Sequence, residues 1–291
     1  MATIAEILAT VPGLRIGMEI EVAGPTDGTH THDVTYRTVR YRIDPVTGYE
    51  EEVDSDEEYE EEECDDPNCD AACEYQQVDW STCEEVRRAC DDGEFEVVPD
   101  GSLPNDGAEL RTGWGDADYW ATHEACLERA LDAFANDDCQ VQGDDLHAGL
   151  HIHFSFANLD WDSERGLLLQ RALWNRAQKA EWDRVRRNGN RYQWAKDMRD
   201  RSYRWSGMFK DRFNDRYRAL NFVAIGNHGT IECRVFDSTL NINEVCDDVQ
   251  FLVDLILPAY RQVLVPATPK RVLVFRPVAR KMAYHVYRRA A

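Results

Sequence analysis

Gly149-Leu150-His151-Ile152-His153-Phe154-Ser155-Phe156 is the stretch on which the reading of this chain turns. Side chains alternate faces along a strand. Leu150, Ile152, Phe154 and Phe156 therefore share an apolar face that must be packed. His151, His153 and Ser155 share the other. Two imidazoles side by side can ligate a metal or face a phosphate. The same pair is also compatible with two structural histidines satisfied by hydrogen bonds.

Three further stretches repeat this logic. Ile16, Met18, Ile20 and Val22 alternate with Gly17, Glu19 and Glu21, the period-2 pattern of a strand. The plainer alternative there is an amphipathic strand with its glutamates in water. Residues 95–111 read as a strand, a turn at Asp100-Gly101 and a second strand. Glu109 and Arg111 share one face of that second strand, with Ala108, Leu110 and Thr112 on the other. In residues 229–237, Glu232 and Arg234 face away from Ile231, Cys233 and Val235.

If these four strands form one sheet, its open face gathers four carboxylates beside imidazole. Carboxylates so crowded repel unless cations neutralise them. Oxygen-rich ligation suits two or more Mg²⁺ or Mn²⁺ ions better than Zn²⁺. An adjacent arginine suits phosphoryl transfer, where the migrating group needs both metal and guanidinium. The chain carries no Walker-type glycine-rich loop, so a nucleotide must be held in another way.

Helical periodicity fills the intervals. Residues 118–134 place Leu127, Ala130, Leu131 and Phe134 on one stripe. Residues 163–188 do the same with Leu169, Ala172, Leu173, Ala177 and Ala180. Asn241, with Glu244 three residues on, marks a capping box for a helix with Val245, Val249, Leu252 and Ile256 inward. Ile4, Ile7 and Leu8 form a short lead-in ended by Pro12-Gly13. The expected class is α+β, with strands and helices interspersed.

At 291 residues the chain can bury a substantial core. Its net charge of −22 is a local feature. Between Ile43 and Val86 lie 19 Asp or Glu and no Lys or Arg; elsewhere acids and bases nearly balance. Such a run cannot pack a core. Cys64, Cys69, Cys73, Cys83 and Cys90 fall in or beside it, at spacings that match no established zinc motif. Cys126, Cys139, Cys233 and Cys246 fall within predicted elements and read as small buried hydrophobes. The expected organisation is one domain, 1–42 and 93–265, interrupted by an acidic Cys-containing insertion, 43–92, and followed by a basic extension, 266–291. Residues 34–43 read as a strand able to pair with one beyond the acidic run. Excising 50–90 is expected to leave a folded core.

Residues 165–218 hold 16 basic and 6 acidic side chains, interleaved with Trp and Tyr. That mixture is compatible with a solvated helix face, with nucleic acid, or with a grip on one nucleotide's phosphates. Nucleic acid ranks last, because the acidic insertion would compete for the same surface. No apolar run approaches the roughly 20 residues of a membrane span. The first 14 residues lack the basic flank of a signal peptide. A cytoplasmic protein is expected.

Gly17-Met18-Glu19-Ile20-Glu21, Asp100-Gly101-Ser102-Leu103, Gly107-Ala108-Glu109-Leu110, Gly149-Leu150-His151-Ile152-His153, Arg218-Ala219-Leu220-Asn221 and Thr230-Ile231-Glu232-Cys233-Arg234 occur in that order. Together they resemble the amidoligase family, met in phages and mobile elements, of the glutamine synthetase and glutamate–cysteine ligase superfamily. The likeness covers residues 14–262 apart from the acidic insertion.

The resemblance implies a curved, saddle-shaped antiparallel sheet and an ATP-dependent carboxylate–amine ligase working through an acyl phosphate. It implies Glu19, Glu21, Glu109, His151 and Glu232 as ligands of Mg²⁺ or Mn²⁺. It implies His153 as a phosphate- or substrate-facing group and Arg234 as a phosphate-binding one, so that Arg234, His153 and Glu109 stand nearest the chemistry. Arg111, Arg191, Arg201 and Arg218 join Arg234 as candidate nucleotide contacts. The partners implied are carboxylate and amine substrates, small molecules or peptides. Residues 187–210 are the expected water-excluding lid. The rivals are a phosphagen-kinase-like phosphotransferase, which would be lined by Arg rather than Glu, and an inactive or virion-associated binding protein on the same fold.

Overall fold

The computed structural model describes the backbone of residues 1–24, 35–43, 50–52, 73–79, 84–100, 103, 107–141, 148–185 and 218–265. It describes side chains over the same residues except 35–43, 50–52, 73–79 and 85. The architecture is α+β, built on an open six-stranded antiparallel sheet. Its strands are β1 (Leu14–Val22), β5 (Glu96–Pro99), β6 (Ala108–Arg111), β7 (Gly149–Phe156), β8 (Leu220–Asn221) and β9 (Ile231–Asp237). The order across the sheet is β5-β6-β1-β7-β9-β8. β2 (Thr35–Ile43), β3 (Glu50–Glu52) and β4 (Cys73–Asp79) form a separate three-stranded sheet with β2 in the middle. The pairing of residues 34–43 with a strand beyond the acidic run is thus observed, Thr35 opposite Asp79 and Tyr41 opposite Cys73.

β1 and β7 lie at the centre of the main sheet and pair over seven registered positions, from Leu14 opposite Phe156 to Ile20 opposite Leu150. Their alternation sorts the two faces. Ile16, Met18, Ile20, Leu110, Leu150, Ile152 and Phe154 are all buried in one hydrophobic core. Burying each such side chain contributes about 1.5–3 kcal/mol.

That core is closed by helices α1 (Ile4–Leu8), α2 (Glu84–Gly93), α3 (Ala117–Asn136), α4 (Glu164–Ala177) and α6 (Ile242–Val263); a short α5 (Ala224–His228) precedes β9. α3 starts where the Asp116 carboxylate accepts hydrogen bonds from the Asp118 and Tyr119 amides, as an N-cap should. The expected stripe of Leu127, Ala130, Leu131 and Phe134 is buried.

Two local expectations are corrected. The helix read over 163–188 ends at Ala177. The chain turns back there through a 3-10 turn, Trp182–Arg184, and the buried Trp182 donates from Nε1 to the Ala177 carbonyl at 2.9 Å. That bond occupies a carbonyl the helix leaves unpaired. At the start of α6, Asn241 caps the Asn243 amide, but Glu244 does not return to the cap amide. Thr239 intervenes: its hydroxyl donates to Glu244 Oε2 at 2.6 Å and accepts from the Asn241 amide at 3.1 Å.

α2 falls within the expected insertion, yet its Val86, Ala89 and Cys90 belong to the main core. Cys90, Cys126, Cys139, Cys233 and Cys246 are buried, the last four as their placement within elements led us to expect. Cys64, Cys69, Cys83, the side chain of Cys73 and the 266–291 extension lie outside the described residues. Among the described residues no helix is long and apolar enough to cross a membrane.

These contacts redefine what can be removed. Excising 35–79 is expected to retain a single cooperative melting transition. Extending the excision through residue 90 removes three core side chains and should cost at least about 2 kcal/mol. Chemical denaturation of the two deletions checks the difference.

Candidate metal centre

Register builds the polar face of the sheet. Glu19 on β1 lies opposite His151 on β7 and Arg111 on β6. Glu21 lies opposite Glu109, and His153 opposite Glu232 on β9. A register shift between Leu150 and Ile152 adds a residue on β9. It places a bulge beside His151, as bulges often re-aim side chains near active sites. The four motif-bearing strands are therefore contiguous in one sheet, β6-β1-β7-β9.

His151 sits at the centre of the cluster. Its Nδ1 is 3.5 Å from Glu19 Oε2 and 3.6 Å from Glu232 Oε1, and its Nε2 is 3.5 Å from Glu21 Oε1. His153 Nε2 is 3.3 Å from Glu19 Oε1 and 4.0 Å from Glu232 Oε1. The other His153 nitrogen meets the Thr230 hydroxyl at 2.9 Å, which fixes the ring and leaves Nε2 buried without a hydrogen bond. Glu232 is fixed in turn. Asn221 Nδ2 donates to its Oε2 at 2.6 Å and Arg234 donates to its Oε1. Glu21 Oε2 accepts from the Gly149 amide at 2.5 Å. These outer bonds orient the inner donors, as the surroundings of a metal site do.

The electrostatics separate the acids. Burial pushes the Glu19 carboxyl up, but His151 and His153 outweigh it and hold Glu19 well below the usual carboxylate range. Burial, followed by the charge of Glu19, raises Glu109, against the opposing pull of Arg111. Burial opposes protonation of His153, yet Glu19 and Glu232 raise its pKa. Glu109 is thus harder to ionise than an ordinary carboxylate, even with the Arg111 guanidinium beside it.

Three sets of side chains bring ligand atoms within 4.8 Å of one another: Glu19, His153 and Glu232; Glu19, Glu109 and His151; Glu21, Asp100 and Glu109. Glu19 and Glu109 each belong to two sets, so the sets form a continuous row. The donors are carboxylate oxygens with two imidazoles; among the described residues the guanidinium groups of Arg111 and Arg234 pair with acids of the row. This chemistry fits divalent cations, and the buried His153 Nε2, which faces Glu19 at 3.3 Å without completing a hydrogen bond, adds a nitrogen ligand to the carboxylates.

All five expected ligands, Glu19, Glu21, Glu109, His151 and Glu232, fall in these sets, with His153 among them as a ligand candidate too. Arg111 pairs with Glu109 at 2.5 Å near the rim. Arg234 is mostly enclosed beside Glu232. Arg218 is buried just before β8. Arg191, Arg201 and the 187–210 segment lie outside the described residues.

The sequence marks Asp100 as a turn residue within one of the matched motifs, without a ligand role. The β5–β6 register carries it into the cluster. Val98 opposes Glu109, and the Asp100 amide bonds the Gly107 carbonyl two residues further along. Asp100 therefore lies on the same face as Glu109. Pairing the hairpin about Asp100-Gly101 in the sequence shows this parity. Asn221 and Thr230, which steady Glu232 and His153, lie within the matched motifs, but alternation along a strand gives them no role of their own.

Mn²⁺ or Mg²⁺ should raise the melting temperature of the wild-type protein, because a ligand bound only by the folded state adds stability in proportion to RT ln(1 + [L]/Kd). Glu109→Gln should melt no lower than wild type without metal, having removed a carboxylate that is costly to ionise. It should lose most of the metal-induced rise. Differential scanning calorimetry with and without metal tests both arms.

Searched against protein-family models and against curated proteins, the chain matches none.

Proposed function

We propose that this protein is an ATP-dependent carboxylate–amine ligase working on a glutamine synthetase-like saddle sheet. The row of ligand sets linked through Glu19 and Glu109 carries the reading. A single structural cation needs one such set. A row, with guanidinium groups at its margin, suits a polyphosphate laid across several cations. The predominance of carboxylate over arginine favours it over a phosphagen-kinase-like site.

In the proposed reaction a substrate carboxylate oxygen bonds the γ-phosphorus of ATP as the bond to ADP breaks. An amine then attacks the acyl carbon of the resulting acyl phosphate. Inorganic phosphate leaves with the bonding pair, the amine loses a proton, and an amide remains. Mg²⁺ or Mn²⁺, when bound by Glu19, Glu21, Glu109, His151 and Glu232, neutralises phosphate charge and withdraws electron density from phosphorus.

The chain's own residues set the geometry. Thr230 holds the His153 ring so that Nε2 faces the row. Asn221 and Arg234 pin both oxygens of Glu232, so the carboxylate keeps one orientation. Arg234 brings a buried Nε–H that has no partner among the described residues. That donor suits a phosphoryl oxygen, whose charge grows during transfer. Arg111 and Arg218 remain candidate nucleotide contacts.

Mg²⁺-dependent ADP release, measured with pools of amino acids, amines and peptides, tests the proposal. Release should rise with a particular acid–amine pair. Glu19→Gln and Glu232→Gln should each lower it by more than about a hundredfold while leaving the far-ultraviolet circular dichroism unchanged. Unaltered turnover in either variant removes the metal-row mechanism. A folded wild-type protein that neither binds nor turns over ATP would instead be a binding protein on this fold.

A further inference from the structure

A cleft of 350 Å³ opens beside the end of the row marked by Glu19 and His153. Its wall is unusual for a sheet face. Trp114 is 40% exposed, among the few large apolar side chains so displayed. Its position is imposed by the backbone. Beyond β6 the chain continues beside β1: the Thr112 amide bonds the Met18 carbonyl at 2.9 Å, and Gly115 and Ile16 exchange bonds of 3.0 and 2.9 Å. Trp114, between them, is laid against Gly17. A Cβ at Gly17 would come within 3.0 Å of the indole Cε3, so a glycine keeps the ring close to the strand.

The remaining walls complete a site. His228 stands across from this side, its ring edge-on to His153 with centroids 5.8 Å apart. Arg15, exposed and two residues before Gly17, lines the same cleft and forms no ion pair or hydrogen bond among the described residues. Ser155, its cross-strand partner, adds a hydroxyl. The cleft thus joins an open aromatic surface and a guanidinium to the end of an array suited to phosphate-bound cations.

We infer that the cleft holds the base of the nucleotide, stacked on Trp114, with Arg15 at the end of the cleft away from the Glu19 row. This rests on the ATP reading above and names the residues that recognise ATP beyond its phosphates. An indole offers a flat face to any base, and stacking of this kind strengthens binding about tenfold or more. A carboxylate substrate seated in the cleft would use Arg15 but would give no role to an exposed indole held against a glycine. The volume accommodates a purine within the range of small-ligand sites.

Isothermal titration calorimetry with Mg²⁺-ATP and with Mg²⁺-tripolyphosphate, which has phosphates but no base, tests the inference. The wild-type protein should bind ATP about tenfold or more tightly than tripolyphosphate. Trp114→Ala should lower ATP affinity about tenfold and leave tripolyphosphate affinity unchanged, which also shows that the fold and the acidic row survive. Trp114→Phe should restore most of the loss, and Gly17→Ala, by displacing the indole, should mimic it. Equal wild-type affinity for the two ligands, or ATP binding unchanged in Trp114→Ala, overturns the inference while tripolyphosphate binding leaves the phosphate-on-metal reading intact. If neither ligand binds, both readings fall.

Discussion

Glu19 and His151 face each other across the two central strands, and the site depends on that contact. Strands lie about 4.8 Å apart, so directly opposed side chains must meet. Here a carboxylate meets an imidazole, with Glu21 and Glu232 on the other sides of the same ring. Paired to His151 and His153, Glu19 stays ionised in spite of burial. On the next strand burial, and after it the charge of Glu19, pushes the Glu109 carboxyl the other way. One opposed pair thus sets the electrostatics over three strands. Among the described residues, Arg111 pairs with Glu109 and Arg234 with Glu232 at the margin of this face.

The opposite face bears the cost of this arrangement. A cluster of acids held together without cations destabilises the folded state. Stabilisation has to come from the apolar side, where Ile16, Met18, Ile20, Leu150, Ile152 and Phe154 are essentially inaccessible. α1, α3, α4 and α6 bring the rest of that core. α2 contributes to it as well, although it follows a stretch whose composition cannot pack. Amino-acid composition marks where a core is impossible; it does not mark where the neighbouring core resumes.

Much of the fold was legible because it rests on local periodicity. The alternation in β1, β6, β7 and β9, the stripe of α3 and the cap at Asn241 all lie within a few residues of one another. The five expected ligands were legible for the same reason, each being one of an alternating set. What escaped depends on contacts distant in sequence. Asp100 joins Glu109 through the pairing of a hairpin. Asn221 reaches Glu232, and Thr230 reaches His153 across 77 residues. Helix α4 stops at Ala177 because Trp182 folds back upon it, although the apolar pattern runs on. Nothing in the local pattern marks Trp114, which the extension of the chain along β1 sets against Gly17.

Core and site are two results of one choice of register. A slip of one residue between strands moves every side chain to the other face. For β7 it would bury His151 and His153 among helices and expose Leu150, Ile152 and Phe154. For β1 it would drive Glu19 and Glu21 into the core, where an uncompensated carboxylate is far more costly than an exposed leucine. The apolar residues therefore select the register that also gathers the acids, and the acids penalise every alternative. The bulge beside His151 is the exception that this logic permits. It adds one residue on β9 after Glu232 and Cys233 have been placed, and Phe236 is back opposite Leu150 on the packed face beyond it. The extra residue thus falls where it adjusts the surroundings of His151 without exchanging the two faces.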